Sequence, residues 1–188
     1  MVVELNGCGL VVAPGGVAAC LRGLDLGELL DVGMLSARLT HYRPSPIGTA
    51  SLAYRDSHAG ASVGYDMARG DPVAVGRLQK RLAPDEWDES GLDAMPHRWA
   101  VITPVGRVAA VAGYEVWGDN IAHLGVAAHP LERGRGFATA ATRTAMLAAI
   151  GGGLVAQWRC RVGNRDSERL AARLGFVSRG RQTAVALG

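Results

Sequence analysis

The sequence predicts a mixed α/β domain, in which helices pack on a central sheet. Two observations predict this class. Strand-like and helix-like segments alternate along the second half of the chain, separated by turns that contain glycine or proline. Of the 188 residues, 48% are hydrophobic and 20% are charged, a composition typical of a globular chain with a substantial core. The length fits one domain, or one domain with an extension.

The first seventy residues have the weakest pattern. Residues 2–12 alternate weakly and predict a strand, and residues 17–39 carry leucines at helical spacing and predict one or two helices. Residues 40–70 are rich in turn formers and predict loops. We therefore expect residues 1–70 to form a mainly helical extension packed on a core domain at residues 71–188.

The core domain has a clearer order of elements. Pro72 begins a helical pattern that Pro84 interrupts, and Gly175 is placed to end a later helix. The predicted elements are a helix at 71–87 with a break, strands at 99–103, 107–117 and 121–128, a helix at 138–150, a strand at 154–162, a helix at 166–174 and a strand at 176–187. This order predicts a mixed sheet with helices packed on it.

The turn Arg133-Gly134-Arg135-Gly136 is the most informative segment, because it joins a predicted strand to a predicted helix. The first N–H groups of a helix lack partners within it, and the helix dipole attracts negative charge. Glycines let a phosphate approach the main chain closely, and arginines add forked donors. The turn therefore predicts a site for a phosphate-bearing ligand.

The distribution of charge agrees with such a ligand. Residues 131–188 contain ten arginines and three acidic residues, a net charge of +7, which leaves −4 for residues 1–130. Nucleic acid is a competing partner, but no basic block with interleaved aromatic residues supports it, and we expect no nucleic-acid binding. A nucleotide site is disfavoured because no Gly-x-x-x-x-Gly-Lys-Ser/Thr run occurs.

The cysteines and the hydropathy indicate a compartment. Cys8, Cys20 and Cys160 are scattered without metal-ligand spacing, which predicts reduced thiols and no bound metal. No apolar run reaches membrane-spanning length, and residues 1–20 lack the positive segment of a signal peptide. The sequence therefore predicts a cytoplasmic protein with no membrane partner.

Two motifs of the core domain resemble those of the GNAT superfamily of acetyl-CoA-dependent N-acetyltransferases. The family signature is Gln or Arg, two residues, Gly, one residue, then Gly or Ala, and Arg133-x-x-Gly136-x-Ala138 fills it. Asn164-x-x-Ser167 and Leu174-Gly175-Phe176 follow in the order typical of the family. The resemblance covers roughly residues 71–187. It implies a mostly antiparallel sheet with helices on both faces, splayed at the cofactor site.

The resemblance also implies which residues contact acetyl-CoA. The amides of the turn would hold the pyrophosphate, and the end of the preceding strand would pair with the pantetheine amides like a neighbouring strand. Asn164 would reach the pantetheine and Ser167 the phosphate side, although both residue types also cap helices well. The implied cofactor-binding residues are Val126, Ala127, Ala128, Arg133, Gly134, Arg135, Gly136, Phe137, Ala138, Asn164 and Ser167.

The positions where the family usually carries proton-handling residues hold other residues here. Ala171 stands where many members have a tyrosine acid and Ala122 where many have a glutamate. Arg159 stands where one bacterial branch of protein-terminus acetyltransferases has a glutamate. Glu115 and His123 are the remaining catalytic candidates near the expected slot. Glu115 could equally be an exposed strand residue, and His123 a satisfied core histidine.

The sequence thus predicts an N-acetyltransferase that transfers acetyl from acetyl-CoA to a primary amine. Because Arg159 replaces the glutamate of the protein-terminus enzymes, we expect the amine of a small molecule. The expected partners are acetyl-CoA and this amine, and a homodimer is an option that the sequence leaves open. The alternative is a non-catalytic module that binds or senses acyl-CoA, which the missing proton-handling residues would also fit.

Overall fold

The structure is a computed structural model that describes residues 1–57, 67–69 and 72–188. Its strands are, in chain order, β1 (Val2–Leu5), β2 (Cys8–Val11), β3 (Ser45–Arg55), β4 (Met67–Arg69), β5 (His97–Ile102), β6 (Val108–Trp117), β7 (Ile121–Ala128), β8 (Val155–Arg161) and β9 (Val177–Ala186). Its helices are α1 (Gly15–Cys20), α2 (Leu26–Leu30), α3 (Val32–Arg38), α4 (Pro72–Gln79), α5 (Pro84–Ser90), α6 (Phe137–Gly151) and α7 (Arg165–Arg173). Short 3-10 helices occupy Thr40–Tyr42 and Pro130–Glu132.

The described chain divides into two compact units. The first contains Met1–Ala53, Arg159–Arg169 and Val177–Gly188, and the second contains Tyr54–Trp158 and Leu170–Phe176. The expected domain boundary at residues 70 and 71 lies outside the described residues, and a division of the chain there stays a prediction.

The second unit is built on strands in the order β8-β7-β6-β5-β4. β7 and β8 run parallel, whereas the other neighbours are antiparallel. Val111 and Ala127 share one apolar cluster with residues of α4 and α5, and α6 packs on β5, β6 and β7. The predicted class, a mixed α/β fold with helices on both faces of the sheet, is confirmed.

The predicted elements from β5 to the end of the chain agree closely with the structure. β7 has the predicted bounds, and the bounds of β5, β6, α6, β8, α7 and β9 differ from the predicted ones by one or two residues. The helical pattern around Pro84 forms two helices, and Pro84 begins the second of them. Proline is tolerated there because the first N–H of a helix has no partner within it.

The first unit differs more from the prediction. The single strand predicted at residues 2–12 is wrong, because Asn6 and Gly7 turn the chain with φ of 52° and 84° and β1 pairs antiparallel with β2. Residues 17–39 form three short helices rather than one or two. Asp25 and Asp31 accept hydrogen bonds from the first turns of α2 and α3, which starts each helix separately.

Strand β3 was not predicted, because Pro46 and Gly48 gave its sequence the signals of a loop. Ala50 and Leu52 are nevertheless buried, two residues apart as in a strand with one covered face. Thr49 Oγ1 lies 2.9 Å from Thr183 Oγ1 of β9 within the first unit. The described part of residues 1–70 therefore contains strands β1, β2 and β3 besides its helices.

Gly125 of β7 packs against the last residue of α5 and the segment that follows it. A Cβ at this position would overlap the carbonyl oxygen of Ser90 and lie 2.6 Å from Cε of Met95. We expect Gly125→Ala to lower the free energy of unfolding by about 1–3 kcal/mol, as overpacking does. Urea denaturation measures this value. A Cβ on Gly76 of α4 would meet no atom within 4 Å, so Gly76→Ala should instead stabilise by about 0.5–1 kcal/mol. Equal effects of the two substitutions would contradict the close approach.

Candidate functional site

The turn after β7 has a backbone geometry that favours glycine. Gly134 and Gly136 have φ of 73° and 84°, and Gly136 is the N-cap of α6. Among the described residues, a Cβ on either glycine would meet no atom within 4 Å beyond its chain neighbours. The main chain is therefore open to a ligand at the N-terminus of a helix of 15 residues. Such a position attracts anions, because helix N–H groups and the helix dipole point there.

The pairing of β7 with β8 ends before β7 does. β8 pairs with β7 only as far as Gln157 and His123, whereas β7 pairs with β6 along its whole length to Ala128. Within the described part of the chain, residues 124–128 have no strand partner on the β8 side. This parting is the splay that the family resemblance implied, and only His129 and the 3-10 helix Pro130–Glu132 separate it from the glycine turn.

The alternation of β7 decides which main-chain groups face this opening. The N–H of Val155 in β8 donates to the carbonyl oxygen of Asn120, one residue before β7, at 2.8 Å. Successive residues of a strand direct their main-chain groups to opposite neighbours, so the even-numbered residues of β7 face the β8 side. Val126 and Ala128 therefore present their main-chain groups to the opening. Ala127, which was also predicted to contact the cofactor, directs its groups towards β6.

Both arginines of the turn pair with carboxylates. Arg133 forms an exposed ion pair with Glu86 of α5, and Arg135 pairs with Glu132. The side chain of Glu132 is only 3% exposed, and Arg107 also binds it at 2.7 Å. Because a buried carboxylate requires such partners, Glu132 and its two arginines hold the entry to the turn in place. The exposed ion pair between Arg133 and Glu86 is weak, so Arg133 can leave the carboxylate and bind a phosphate instead.

The structure brings the two catalytic candidates together. His123 is the last residue of β7 that pairs with β8, and it lies directly across the β6–β7 ladder from Glu115. The ring of His123 stacks on that of Trp117, with centroids 4.0 Å apart and an interplanar angle of 15°. Trp117 Nε1 donates to Glu115 Oε1 at 2.8 Å. Glu115 thus holds the tryptophan, and the tryptophan holds the plane of the imidazole beside the opening.

Two polar residues beside His123 were missed by the sequence prediction. Gln157 of β8 is only 7% exposed, and its Oε1 lies 3.1 Å from Nδ1 of His123. Its Nε2 donates to Oη of Tyr54 at 2.9 Å. Neither residue belongs to a motif. A glutamine within the apolar strand predicted at 154–162 is only a weak indication of a functional residue. Tyr54 lies at the end of the strand that was taken for a loop.

Asn164 caps α7. Its Oδ1 accepts a hydrogen bond from the N–H of Ser167 at 3.2 Å, which is the capping alternative that the sequence left open. Both residues belong to the first unit, whereas the strand end and the glycine turn belong to the second. A contact of Asn164 or Ser167 with acetyl-CoA stays a prediction.

The family's usual glutamate position on β7 does not face the same way as His123. Ala122 has no exposed surface, and it points to the opposite face of the sheet because neighbouring residues of a strand alternate. Ala171, at the tyrosine position, is buried as well. His123 is therefore a base candidate that is next to the family's glutamate position in the sequence but lies on the opposite face of β7.

Comparison with protein families agrees with this geometry. Residues 100–185 match the model of a family described as GNAT acetyltransferase. The matched range runs from β5 to β9 and so includes the parting strands and the glycine turn. No curated protein matches the sequence.

Several solved structures share the fold. A GNAT-family acetyltransferase from Novosphingobium aromaticivorans is 20% identical with a TM-score of 0.60, over 77% of this chain and 68% of its own. One from Colwellia psychrerythraea is 16% identical with a TM-score of 0.58, over 74% and 56%. A tandem GNAT protein from the clavulanic acid biosynthesis pathway is 14% identical with a TM-score of 0.55, over 98% and 62%. This chain thus spans between 56% and 68% of the length of these proteins.

The fold and the site define a mixed α/β protein whose sheet parts next to a glycine turn at the start of a helix. This is the GNAT fold, and residues 100–185 match the model of the GNAT acetyltransferase family, which confirms the predicted resemblance. The family supports an acyltransferase activity. No helix within the described ranges is both long and apolar enough to cross a membrane.

Proposed function

We propose that the protein is an N-acetyltransferase that transfers acetyl from acetyl-CoA to the primary amine of a small molecule. The observation that carries this proposal is the open β8 side of residues 124–128, followed after the short 3-10 helix Pro130–Glu132 by the glycine turn at the N-terminus of α6. Acetyl-CoA matches both features, because it carries a diphosphate and an arm with two amides. The diphosphate suits the helix N-terminus and the amides suit an open strand edge.

The proposed contacts of the cofactor follow from this match. The main-chain N–H groups of residues 134–138 hold the pyrophosphate, and Val126 and Ala128 pair with the amides of the pantetheine arm. Arg133 and Arg135 add positive charge at the phosphates. Arg133 leaves Glu86 when phosphate binds, because an exposed ion pair contributes at most about 1 kcal/mol and an arginine–phosphate pair has two parallel charge-assisted hydrogen bonds.

The proposed chemistry is a direct attack of the amine on the thioester. His123 takes one proton from the substrate ammonium, and the nitrogen lone pair forms a bond to the thioester carbon. A main-chain N–H at the end of β7 stabilises the oxyanion of the tetrahedral intermediate. The carbon–sulfur bond then breaks, the amide nitrogen loses its remaining extra proton to solvent, and coenzyme A leaves as a thiolate. A thiolate departs without a strong acid, which is compatible with Ala171 in place of the tyrosine.

The class of acceptor rests on a single position. One bacterial branch of protein-terminus acetyltransferases carries a glutamate where this chain has Arg159. The glutamate that would favour a peptide terminus in that branch is therefore absent, which supports a small amine as the acceptor.

Free coenzyme A release tests the proposal. We expect the purified protein to release coenzyme A from acetyl-CoA with at least one member of a panel of small primary amines, and not without amine. In a thermal-shift series we expect acetyl-CoA to stabilise the protein, by about 2.7 kcal/mol at a hundred times its Kd, and ATP and NAD to have no effect. Stabilisation by acetyl-CoA with no release across the panel would support the non-catalytic alternative. Stabilisation by ATP or NAD alone would contradict the cofactor assignment.

A further inference from the structure

We propose that Gln157 is a positioning residue that fixes the tautomer of His123, so that Nε2 of the imidazole carries the lone pair that accepts the proton of the amine. The proton transfer rests on the proposed function. The tautomer rests only on the hydrogen bonds of the described residues and can be tested without any substrate.

The orientation of the Gln157 amide sets the direction of the hydrogen bonds. Nε2 of Gln157 can only donate, and it donates to Oη of Tyr54 at 2.9 Å. The amide oxygen Oε1 is thereby turned to Nδ1 of His123, 3.1 Å away. In this orientation of the amide its oxygen accepts from Nδ1, which then carries the proton. A neutral imidazole has a single N–H, so its lone pair is then on Nε2.

The burial of Gln157 strengthens the preference for this tautomer. Gln157 is 7% exposed, so its oxygen has little access to water if the imidazole withdraws the proton. An unsatisfied buried amide oxygen disfavours the other tautomer by about tenfold to a hundredfold. With the amide turned round, Tyr54 would donate to Oε1 and Nδ1 of His123 would accept from the amide nitrogen, so a protonated Nε2 of His123 is the signature of that opposite orientation.

The orientation of the ring is fixed independently by stacking. The Trp117 ring lies 4.0 Å from the His123 ring, nearly parallel, and Glu115 accepts from the Trp117 indole N–H at 2.8 Å. The stack fixes the plane of the imidazole, and the hydrogen bond to Gln157 fixes which edge points to β8.

The place of this pair in the sheet connects it to the reaction. Gln157 and His123 are the last partners of the β7–β8 ladder, and the strands part immediately after them. The proposed thioester site lies along the open edge that begins at residue 124. Gln157 therefore fixes the orientation of the imidazole at the place where the acceptor amine must lose its proton.

Nitrogen NMR of the ligand-free protein tests the tautomer. Long-range proton–nitrogen spectra are recorded at a pH where the ring is neutral, and His123 is assigned among the five histidines by its loss in His123→Asn. We expect a protonated Nδ1 and a pyridine-like Nε2 in the native protein, and a shift towards protonated Nε2 in Gln157→Leu. A protonated Nε2 in the native protein would overturn the proposal, whether or not the protein acetylates amines.

Kinetics of two Gln157 variants test the consequence. Gln157→Leu removes the acceptor, and we expect its kcat for amine acetylation to fall by about tenfold or more while KM for acetyl-CoA stays nearly constant. Gln157→Glu keeps an acceptor at the same place, and we expect it to retain the tautomer and most of kcat. Thermal melts of both variants show that they fold. An equal loss of kcat in the two folded variants would mean that Gln157 is merely structural, and would overturn the proposal. If the protein acetylates no amine, the proposed function is wrong. The NMR result then still tests the tautomer by itself.

Discussion

Replacing Gly136 with aspartate is expected to weaken acetyl-CoA binding by about a hundredfold or more. Gly136 is the N-cap of α6, and a side chain there would enter open space in front of the first helical N–H groups. A carboxylate would occupy the position proposed for the pyrophosphate. Placing like charges together costs several kcal/mol, and about 1.4 kcal/mol corresponds to tenfold in affinity. Isothermal titration with acetyl-CoA measures the loss.

Two control variants separate this charge effect from strain in the backbone. Asparagine has the shape of aspartate and tolerates a positive φ equally well, so Gly136→Asn should lose much less affinity. Gly106, in the turn between β5 and β6, has φ of 75° and open space around a Cβ. Gly106→Asp should therefore cost similar stability and leave binding unchanged. Equal affinities of the aspartate and asparagine variants at position 136 would show that the cofactor phosphates do not bind at this turn.

The fold was predictable from the sequence where local patterns decide it. β7, the glycine turn and α6 follow from an alternating apolar run, two glycines and an alanine-rich run, each of which acts within a few residues. β3 could not be predicted in this way. Its proline and glycine favour loops, and its strand conformation depends on packing and hydrogen bonds such as that of Thr49 with Thr183, 134 positions away. Long-range contacts outweigh weak local preferences there.

The sequence predicts only those residues of the candidate site that belong to the motif. The motif names the residues of the turn but not their partners: Arg133 pairs with a carboxylate 47 positions away, and Gln157 with a tyrosine 103 positions away. Such pairs exist only once the chain has folded. The role of Asn164 was ambiguous for a different reason. A helix cap and a ligand contact use the same side-chain oxygen, so the residue type alone cannot separate them.

Removal of the imidazole is the second large effect that we expect. His123→Ala should lower kcat for amine acetylation by about a hundredfold or more, the contribution typical of a positioned general base. KM for acetyl-CoA should change little, because the proposed cofactor contacts are made by the main chain of β7 and by the turn. Steady-state kinetics with the best amine of the panel measure both values. Added imidazole should restore part of the activity, because it can enter the space that the ring leaves.

Variants of neighbouring residues decide whether this loss reports proton transfer. His97 stacks on Tyr114 at 4.6 Å in the same unit and is not part of the proposed site, so His97→Ala should keep kcat. Glu115→Gln can still accept the indole N–H of Trp117, so we expect it to lower kcat much less than His123→Ala. Because both candidate bases lie on one face, the comparison is direct. A full kcat in His123→Ala together with a large loss in Glu115→Gln would show that Glu115 is the base. The group that accepts the proton is the one whose replacement lowers kcat.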